Sequence, residues 1–330
     1  MPSKPKVFVT RILPEAGLSL IRAACEAEIW PEPLPPSADA LLARIADLDG
    51  LVSLLTDRLD AAVLDRAPRL KVISNFAVGF NNIDIPACTA RGIAVGNTPG
   101  VLTDATADMA FCLLIAAARR VVEGHQYTLS GQWKTWEPLG HLGQDLAGRT
   151  LGIVGMGRIG AALAKRCHGG WDMKVLYHDV YKNANAEAEF GAKQVDLPTL
   201  LRESDFVSLH ADLNDSTRGM IGAAEFKMMK RSAVLINTAR GPLVDQKALA
   251  EALKSGTIFA AGLDVTDPEP PSMDDPLLKL PNVVIAPHIA SATVQTRNQM
   301  AEICARNLIA GLTGQPLPAW VNPEVSAKRR

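Results

Sequence analysis

Short apolar runs, separated by stretches with the composition of helices, recur along the chain. In the first part they are Lys6-Val-Phe-Val-Thr10, Gly50-Leu-Val-Ser-Leu-Leu55, Leu70-Lys-Val-Ile-Ser74 and Gly92-Ile-Ala-Val95. Further on come Thr150-Leu-Gly-Ile-Val154, Lys174-Val-Leu-Tyr177, Phe206-Val-Ser-Leu209, Ala233-Val-Leu-Ile236, Ala260-Ala-Gly-Leu263 and Val283-Val-Ile-Ala286. Runs this short and this uniformly apolar fit strands buried on both faces, and their alternation with helices predicts parallel sheets covered by helices. Helices are expected from Leu102 to about Leu129 after Pro99-Gly100, over Ala161-Ala-Leu-Ala-Lys-Arg166 with a stop at Gly169-Gly170, and from Ala292 to Thr313. The pattern predicts an α/β protein of two doubly wound parallel-sheet domains. If the last helix returns to the first domain, one domain comprises residues 1–100 plus 289–330 and the other residues 101–288.

The second domain holds the most informative local pattern. Gly155-Met-Gly157-Arg158-Ile159-Gly160 stands between the apolar run ending at Val154 and the helix that follows. A glycine fingerprint in the order strand, turn, helix suits a dinucleotide: Gly155 for the tight turn, Gly157 for approach of the backbone to a pyrophosphate, Gly160 for helix–strand packing. The next apolar run ends in His178-Asp179, so a carboxylate stands about twenty residues past the last glycine, where the ribose hydroxyls of NAD are expected.

Composition narrows the function. With 330 residues and 48% hydrophobic content the chain can bury two cores, and a formal net charge of −1 gives no broad basic surface for nucleic acid. The basic end Lys328-Arg329-Arg330 is too short to change that. Met1-Pro-Ser-Lys-Pro-Lys6 leads straight into the first strand without room for a signal peptide, and the apolar run Met109–Ala118 is too short to span a bilayer, so a cytoplasmic location is expected. Five widely spaced cysteines without a CxxC indicate neither a disulfide framework nor a metal site, and buried thiols are expected. Gly131-Gln-Trp-Lys-Thr-Trp136 places two tryptophans in a connection, which suits an interface or a pocket wall.

Three polar residues follow strand ends of the second domain: Arg240 after Leu235-Ile-Asn-Thr-Ala239, Glu269 in Asp267-Pro-Glu-Pro270, and His288 after Ile285-Ala-Pro287. An imidazole can act as a proton donor, a neighbouring carboxylate fixes its orientation, and a guanidinium fork matches a carboxylate. Reduction of an anionic carbonyl compound needs these groups together with a bound cofactor.

In these stretches the chain resembles the D-specific 2-hydroxyacid dehydrogenases, and within them the glyoxylate/hydroxypyruvate reductases. The matching segments are Val78-Gly-Phe-Asn-Asn-Ile-Asp84, Pro99-Gly-Val-Leu-Thr-Asp-Ala-Thr-Ala-Asp108, the fingerprint, Asn237-Thr-Ala-Arg-Gly241, Gly262-Leu-Asp-Val-Thr-Asp-Pro-Glu-Pro270 and Pro287-His-Ile-Ala-Ser-Ala-Thr293. The resemblance implies a flavodoxin-like substrate domain, a Rossmann-type nucleotide domain and an active site in the cleft between them. It implies that Arg240, Glu269 and His288 are the catalytic trio, that the amides of Val78 and Gly79 hold the substrate carboxylate, and that Leu55 and Ser291 border the substrate. It also implies NAD(P) contacts from Thr103, Arg158, Ile159, His210, Asp212, Thr217, Thr238, Ala239 and Asp264, and a homodimer in which Trp136 reaches the partner's site. Asn81 stands where many relatives have Asp, and Asp212 replaces a common proline. A carboxylate at Asp179 suits the ribose hydroxyls of NADH and repels the 2′-phosphate of NADPH, so NADH is the expected cofactor and NADPH the lesser one, with Lys182 the nearby cation. Two alternatives share the fold. Phosphite dehydrogenases place a lysine where this chain has Val78, and nucleotide-sensing corepressors carry long tails that this chain does not show.

Overall fold

The computed structural model describes residues 3–327; the Lys328-Arg329-Arg330 stretch lies outside the described residues. Its contacts divide the chain into two units, one reaching Leu102 and resuming at Ala292, the other spanning Thr103–Ser291.

The first unit begins with β1 (Lys6–Val9), α1 (Glu15–Ala24), β2 (Glu26–Ile29), α2 (Ala38–Ile45), β3 (Gly50–Ser53), α3 (Ala61–Leu64), β4 (Val72–Asn75), α4 (Ile85–Ala90) and β5 (Ala94–Gly96). All five strands are parallel, in the order β2-β1-β3-β4-β5. The inner strands β3 and β4 are buried throughout, as their unbroken apolar composition requires. Strand β2 was not evident in the sequence: Glu26-Ala-Glu-Ile29 is half polar because it lies at the sheet edge. Phe8, Ile45, Leu51, Leu59 and Ile73 are fully buried in the core beneath α2–α4, each worth roughly 1.5–3 kcal/mol of apolar burial.

The second unit contains α5 (Thr103–Ala118), α6 (Val121–Leu129), β6 (Thr150–Val154), α7 (Arg158–Trp171), β7 (Lys174–His178), α8 (Ala184–Phe190), β8 (Lys193–Gln194), α9 (Leu197–Glu203), β9 (Phe206–Leu209), α10 (Ala223–Met228), β10 (Val234–Asn237), α11 (Gln246–Lys254), β11 (Ala260–Leu263) and β12 (Val283–Ile285). Its seven parallel strands run β12-β11-β10-β9-β6-β7-β8, with one apolar core under α5 and α7 and another under α9–α11. The order reverses between β6 and β9, the place where doubly wound sheets open a crevice for a ligand.

Three expectations are corrected here. The helix expected from Leu102 to Leu129 is two helices, because Arg120 takes a left-handed φ of 53° and clasps Glu123 at 2.6 and 2.7 Å. Helix α7 does not stop at Gly169-Gly170 but runs to Trp171, whose ring packs on Phe111 at 4.8 Å; Asp172, at φ 51°, then ends it. Four cysteines are buried as expected, but Cys112 faces outward from α5.

The last helix, α12 (Val294–Leu312), is started by the Thr293 side chain, which accepts from the Thr296 amide at 3.1 Å. It belongs to the first unit, where its backbone passes so close to α1 that a Cβ at Gly17 would meet the Ala301 side chain at 2.7 Å.

Candidate active site

All strands of the second sheet point the same way, so their carboxyl ends form one edge. Val154, Leu209, Asn237, Leu263 and Ile285 are in register across five strands. One residue further along each strand stand Gly155, His210, Thr238, Asp264 and Ala286. The candidate residues of this unit therefore collect at one edge because the strands that deliver them are in register.

At the point of reversal the glycine turn and the turn after β9 lie back to back. Gly155 has φ 94°, and a Cβ there would meet the Ala211 amide at 2.7 Å, so only glycine fits. Gly157 caps α7 with no side chain and faces open space, which leaves the first amides of the helix accessible to an anion. Gly160 passes next to the Gly155 carbonyl. Asp179 accepts from the Met156 amide at 2.7 Å and from the Tyr181 amide at 3.0 Å, so its carboxylate is fixed against the glycine turn. Asn183 braces the same turn by donating to the Met156 carbonyl at 2.8 Å. Arg158 is exposed and Ile159 half-buried in the first turn of α7.

Other expected cofactor residues lie along this edge. The His210 ring meets the Ser208 hydroxyl at 2.8 Å, and burial pushes its pKa down to about 4. Thr217 closes the next turn by donating to the Asp212 carbonyl at 2.6 Å. The Thr238 hydroxyl is buried and without a partner among the described residues; a buried hydroxyl in that state costs about 1–3 kcal/mol, which a ligand group can relieve. Open helix amides, a carboxylate beside the glycine turn and an unpartnered hydroxyl in the next strand turn but one together fit a dinucleotide. Ala239 donates its amide to the Asn237 side chain at 3.0 Å, and Thr103 begins α5.

The three polar candidates follow β10, β11 and β12. His288 Nδ1 is paired with Glu269 Oε1. His288 itself sits at φ 52°, a conformation uncommon for a residue with a side chain, and two features impose it. Its amide donates to the Asp264 carbonyl at 2.9 Å, and the Asp264 carboxylate accepts the Ile289 and Ala290 amides at 2.8 Å each. Asp264 is almost wholly buried; burial pushes its pKa up, opposed by those two amides. Its carboxylate thus already holds the backbone after His288, a role the sequence did not disclose. Arg240 is half-buried, and desolvation lowers its pKa against the raising influence of Glu269 and then Asp212. A Cβ at the next residue, Gly241, would overlap the Thr266 carbonyl; glycine lets the segment carrying Glu269 pass against the segment carrying Arg240. Gln246 holds that segment by accepting the Asp267 amide at 2.8 Å. Ser291, half-buried, follows Ala290.

In the first unit Leu55, Val78 and Gly79 are half-buried at the carboxyl edge of its sheet. The Val78 carbonyl accepts from Asn97 at 2.8 Å and the Gly79 carbonyl from Asn75 at 2.9 Å. Asn82 ties the same turn to the carbonyls of Leu54 and Asp57 at 3.0 Å each. These asparagines were missed; the sign available was their place at a strand end or in the turn beyond it, where a side-chain amide can satisfy turn backbone. Trp133 and Trp136 are 62% and 80% exposed, so within one chain they form neither an interface nor a pocket wall. Among the described residues no group of three or more metal-ligating side chains occurs.

Comparison with known proteins sets this geometry beside characterised chemistry. Residues 111–290 match the family model for the NAD binding domain of D-isomer specific 2-hydroxyacid dehydrogenases. Over 98% of this chain and 97% of the other, the sequence is 55% identical to a glyoxylate reductase of Korarchaeum cryptofilum. A Thermus thermophilus crystal structure superposes with a TM-score of 0.89 at 48% identity, covering 96% of this chain and 99% of that one. A Sinorhizobium meliloti NADPH-dependent glyoxylate/hydroxypyruvate reductase, solved with NADP and malonate, gives 0.86 at 31% identity over 99% of each chain.

Proposed function

The chain belongs to the D-isomer specific 2-hydroxyacid dehydrogenases, and on that premise we propose that it reduces short 2-oxo acids, glyoxylate and hydroxypyruvate, to 2-hydroxy acids with NADH. The observation that carries this reading is the His288–Glu269 pair, set on the same sheet edge as the glycine turn and electrostatically linked to Arg240 through Glu269. When bound, the reduced nicotinamide supplies the hydride. Because Nδ1 of His288 is engaged by Glu269, Nε2 is the ring atom left to deliver a proton to the carbonyl oxygen as C2 is reduced. Glu269 holds the ring in that orientation. Arg240 orients the carboxylate and carbonyl of the substrate through its planar fork. In the first unit the carbonyls of Val78 and Gly79 are turned away onto Asn97 and Asn75, and in this reading their amides bind a carboxylate. Ser291 borders the substrate in this reading.

Asp179, fixed beside the glycine turn, supports NADH over NADPH by accepting ribose hydroxyls and repelling a phosphate. The exposed apolar side chains Val121, Leu129, Trp133, Trp136, Leu139 and Leu142 support a homodimer that covers them. A cytoplasmic enzyme acting on small molecules, rather than on nucleic acid or membrane, fits the net charge of −1. It also fits the absence, among the described residues, of a helix long and apolar enough to cross a membrane. The test is a steady-state panel of glyoxylate, hydroxypyruvate and larger 2-oxo acids with NADH and NADPH. The highest kcat/KM is expected for a two- or three-carbon acid with NADH; no oxidation of either cofactor with any 2-oxo acid would defeat the proposal.

A further inference from the structure

Beyond Asp179 the chain turns outward through Val180 and Tyr181, which are 87% and 80% exposed, to Lys182, the one cation between Asp179 and α8. Lys182 does not extend freely into solvent. Its ammonium pairs with Glu187 Oε2 at 3.0 Å, and Glu187 is itself held from below. Tyr177, fully buried on β7, donates its hydroxyl to Glu187 Oε1 at 2.8 Å and accepts the Asn183 amide at 3.0 Å. Asn183 then reaches the Met156 carbonyl of the glycine turn at 2.8 Å. One chain of polar contacts therefore joins the cation beside Asp179 to the cofactor turn through a rigid phenol. Each partner moves the other's titration in the sense of a paired charge, Glu187 downward and Lys182 upward, the mutual hydrogen bond being the largest cause in both.

We propose that Glu187 is a cofactor-discriminating residue: braced by the buried Tyr177 hydroxyl, it holds the Lys182 ammonium at the start of α8 and so withholds that cation from a phosphate on the adenosine ribose. NADPH differs from NADH only by this phosphate, and a site that takes it must supply positive charge nearby. Here the phosphate meets the Asp179 carboxylate, and the neighbouring cation is already neutralised. The inference rests on the reading that the adenosine ribose lies at Asp179. The pair is partly exposed, so its release changes affinity modestly, by roughly three- to tenfold at low salt, and less as salt screens it.

The experiment is isothermal titration calorimetry of the full-length protein with NAD⁺ and NADP⁺, for wild type, Glu187→Gln, Lys182→Ala, the double variant and Asp179→Ser. Glutamine keeps an acceptor for Tyr177 while removing the charge that holds Lys182. Glu187→Gln is expected to lower the ratio of Kd for NADP⁺ to Kd for NAD⁺ by roughly three- to tenfold, and the gain should vanish in the double variant. A ratio within about twofold of wild type, or a gain that survives the loss of Lys182, overturns the proposal. Asp179→Ser separates this inference from the reading beneath it. If that variant lowers the ratio and Glu187→Gln does not, the inference fails alone; if neither lowers it, both fail. A fall with Glu187→Gln only would remove Asp179 from the ribose and overturn the inference with it, since the inference rests on that placement. Should Glu187→Gln not fold, Lys182→Ala decides: an unchanged ratio is expected of an ammonium already held, whereas a clear rise shows that Lys182 serves the phosphate and overturns the proposal.

Discussion

Arg240 illustrates how little a single residue type says until its surroundings are known. In the sequence it is one arginine after a strand; in the fold it is half-buried, with the carboxylates of Glu269 and Asp212 opposing the desolvation of its guanidinium. A lysine at this place keeps the charge but cannot make two parallel hydrogen bonds to a planar carboxylate. Arg240→Lys should therefore lower kcat/KM for glyoxylate by about 10–100-fold, in line with one charge-assisted hydrogen bond of about 1.5–3 kcal/mol. An unchanged kcat and KM would take Arg240 out of the site. The pairing of His288 with Glu269 was legible because their segments are distinctive, whereas the hold of the Asp264 carboxylate on the backbone after His288 was not. Which backbone amides a carboxylate holds depends on how a loop folds back over a strand end, and no spacing in the sequence encodes that.

Among the elements, the legible strands were those with a short unbroken apolar run bounded by polar residues, most of them covered by helices on either side. Thr150–Val154, Phe206–Leu209 and Ala260–Leu263 have the bounds their composition suggests. The edge strands Glu26–Ile29 and Lys193–Gln194 were not legible, because a half-exposed or two-residue strand carries no such run. Glycines misled at Gly169-Gly170, where packing of Trp171 outweighs a propensity cost of about 1 kcal/mol per residue. The turn after β9 carries a measurable consequence. His210 has a folded-state pKa of about 4, below the unfolded value near 6.5, so it contributes stability above about pH 6.5 that is lost as pH falls toward 4. The residue as a whole keeps some exposure, so the loss should be on the order of 1–3 kcal/mol. Urea unfolding of wild type between pH 7 and 4.5 should show that slope, and His210→Gln should flatten it; equal slopes in both proteins would refute the assignment.

For the whole molecule, the alternation of strands and helices announced two doubly wound sheets. What it could not announce was the use of the connection between α6 and β6. That segment leaves Trp133, Trp136, Leu139 and Leu142 exposed on one chain, a surface suited to burial by a second copy. Analytical ultracentrifugation should find two chains per particle, and Trp136→Ser with Leu139→Ser should shift it toward one; a wild-type monomer at micromolar concentration would end the dimer proposal. In the proposed reaction, binding and chemistry reside in separate parts of one sheet edge: the glycine turn with Asp179 binds the cofactor, and His288, oriented by Glu269, supplies the proton. The most direct test is a stopped-flow single turnover of bound NADH with saturating glyoxylate, comparing wild type with His288→Ala after the NADH Kd of each has been measured. A Kd within about threefold of wild type and a turnover slowed by about 10²–10⁴-fold are expected, the latter being the usual worth of a general acid. Oxidation of NADH by the variant at close to the wild-type rate, or no oxidation by the wild type, would contradict this assignment.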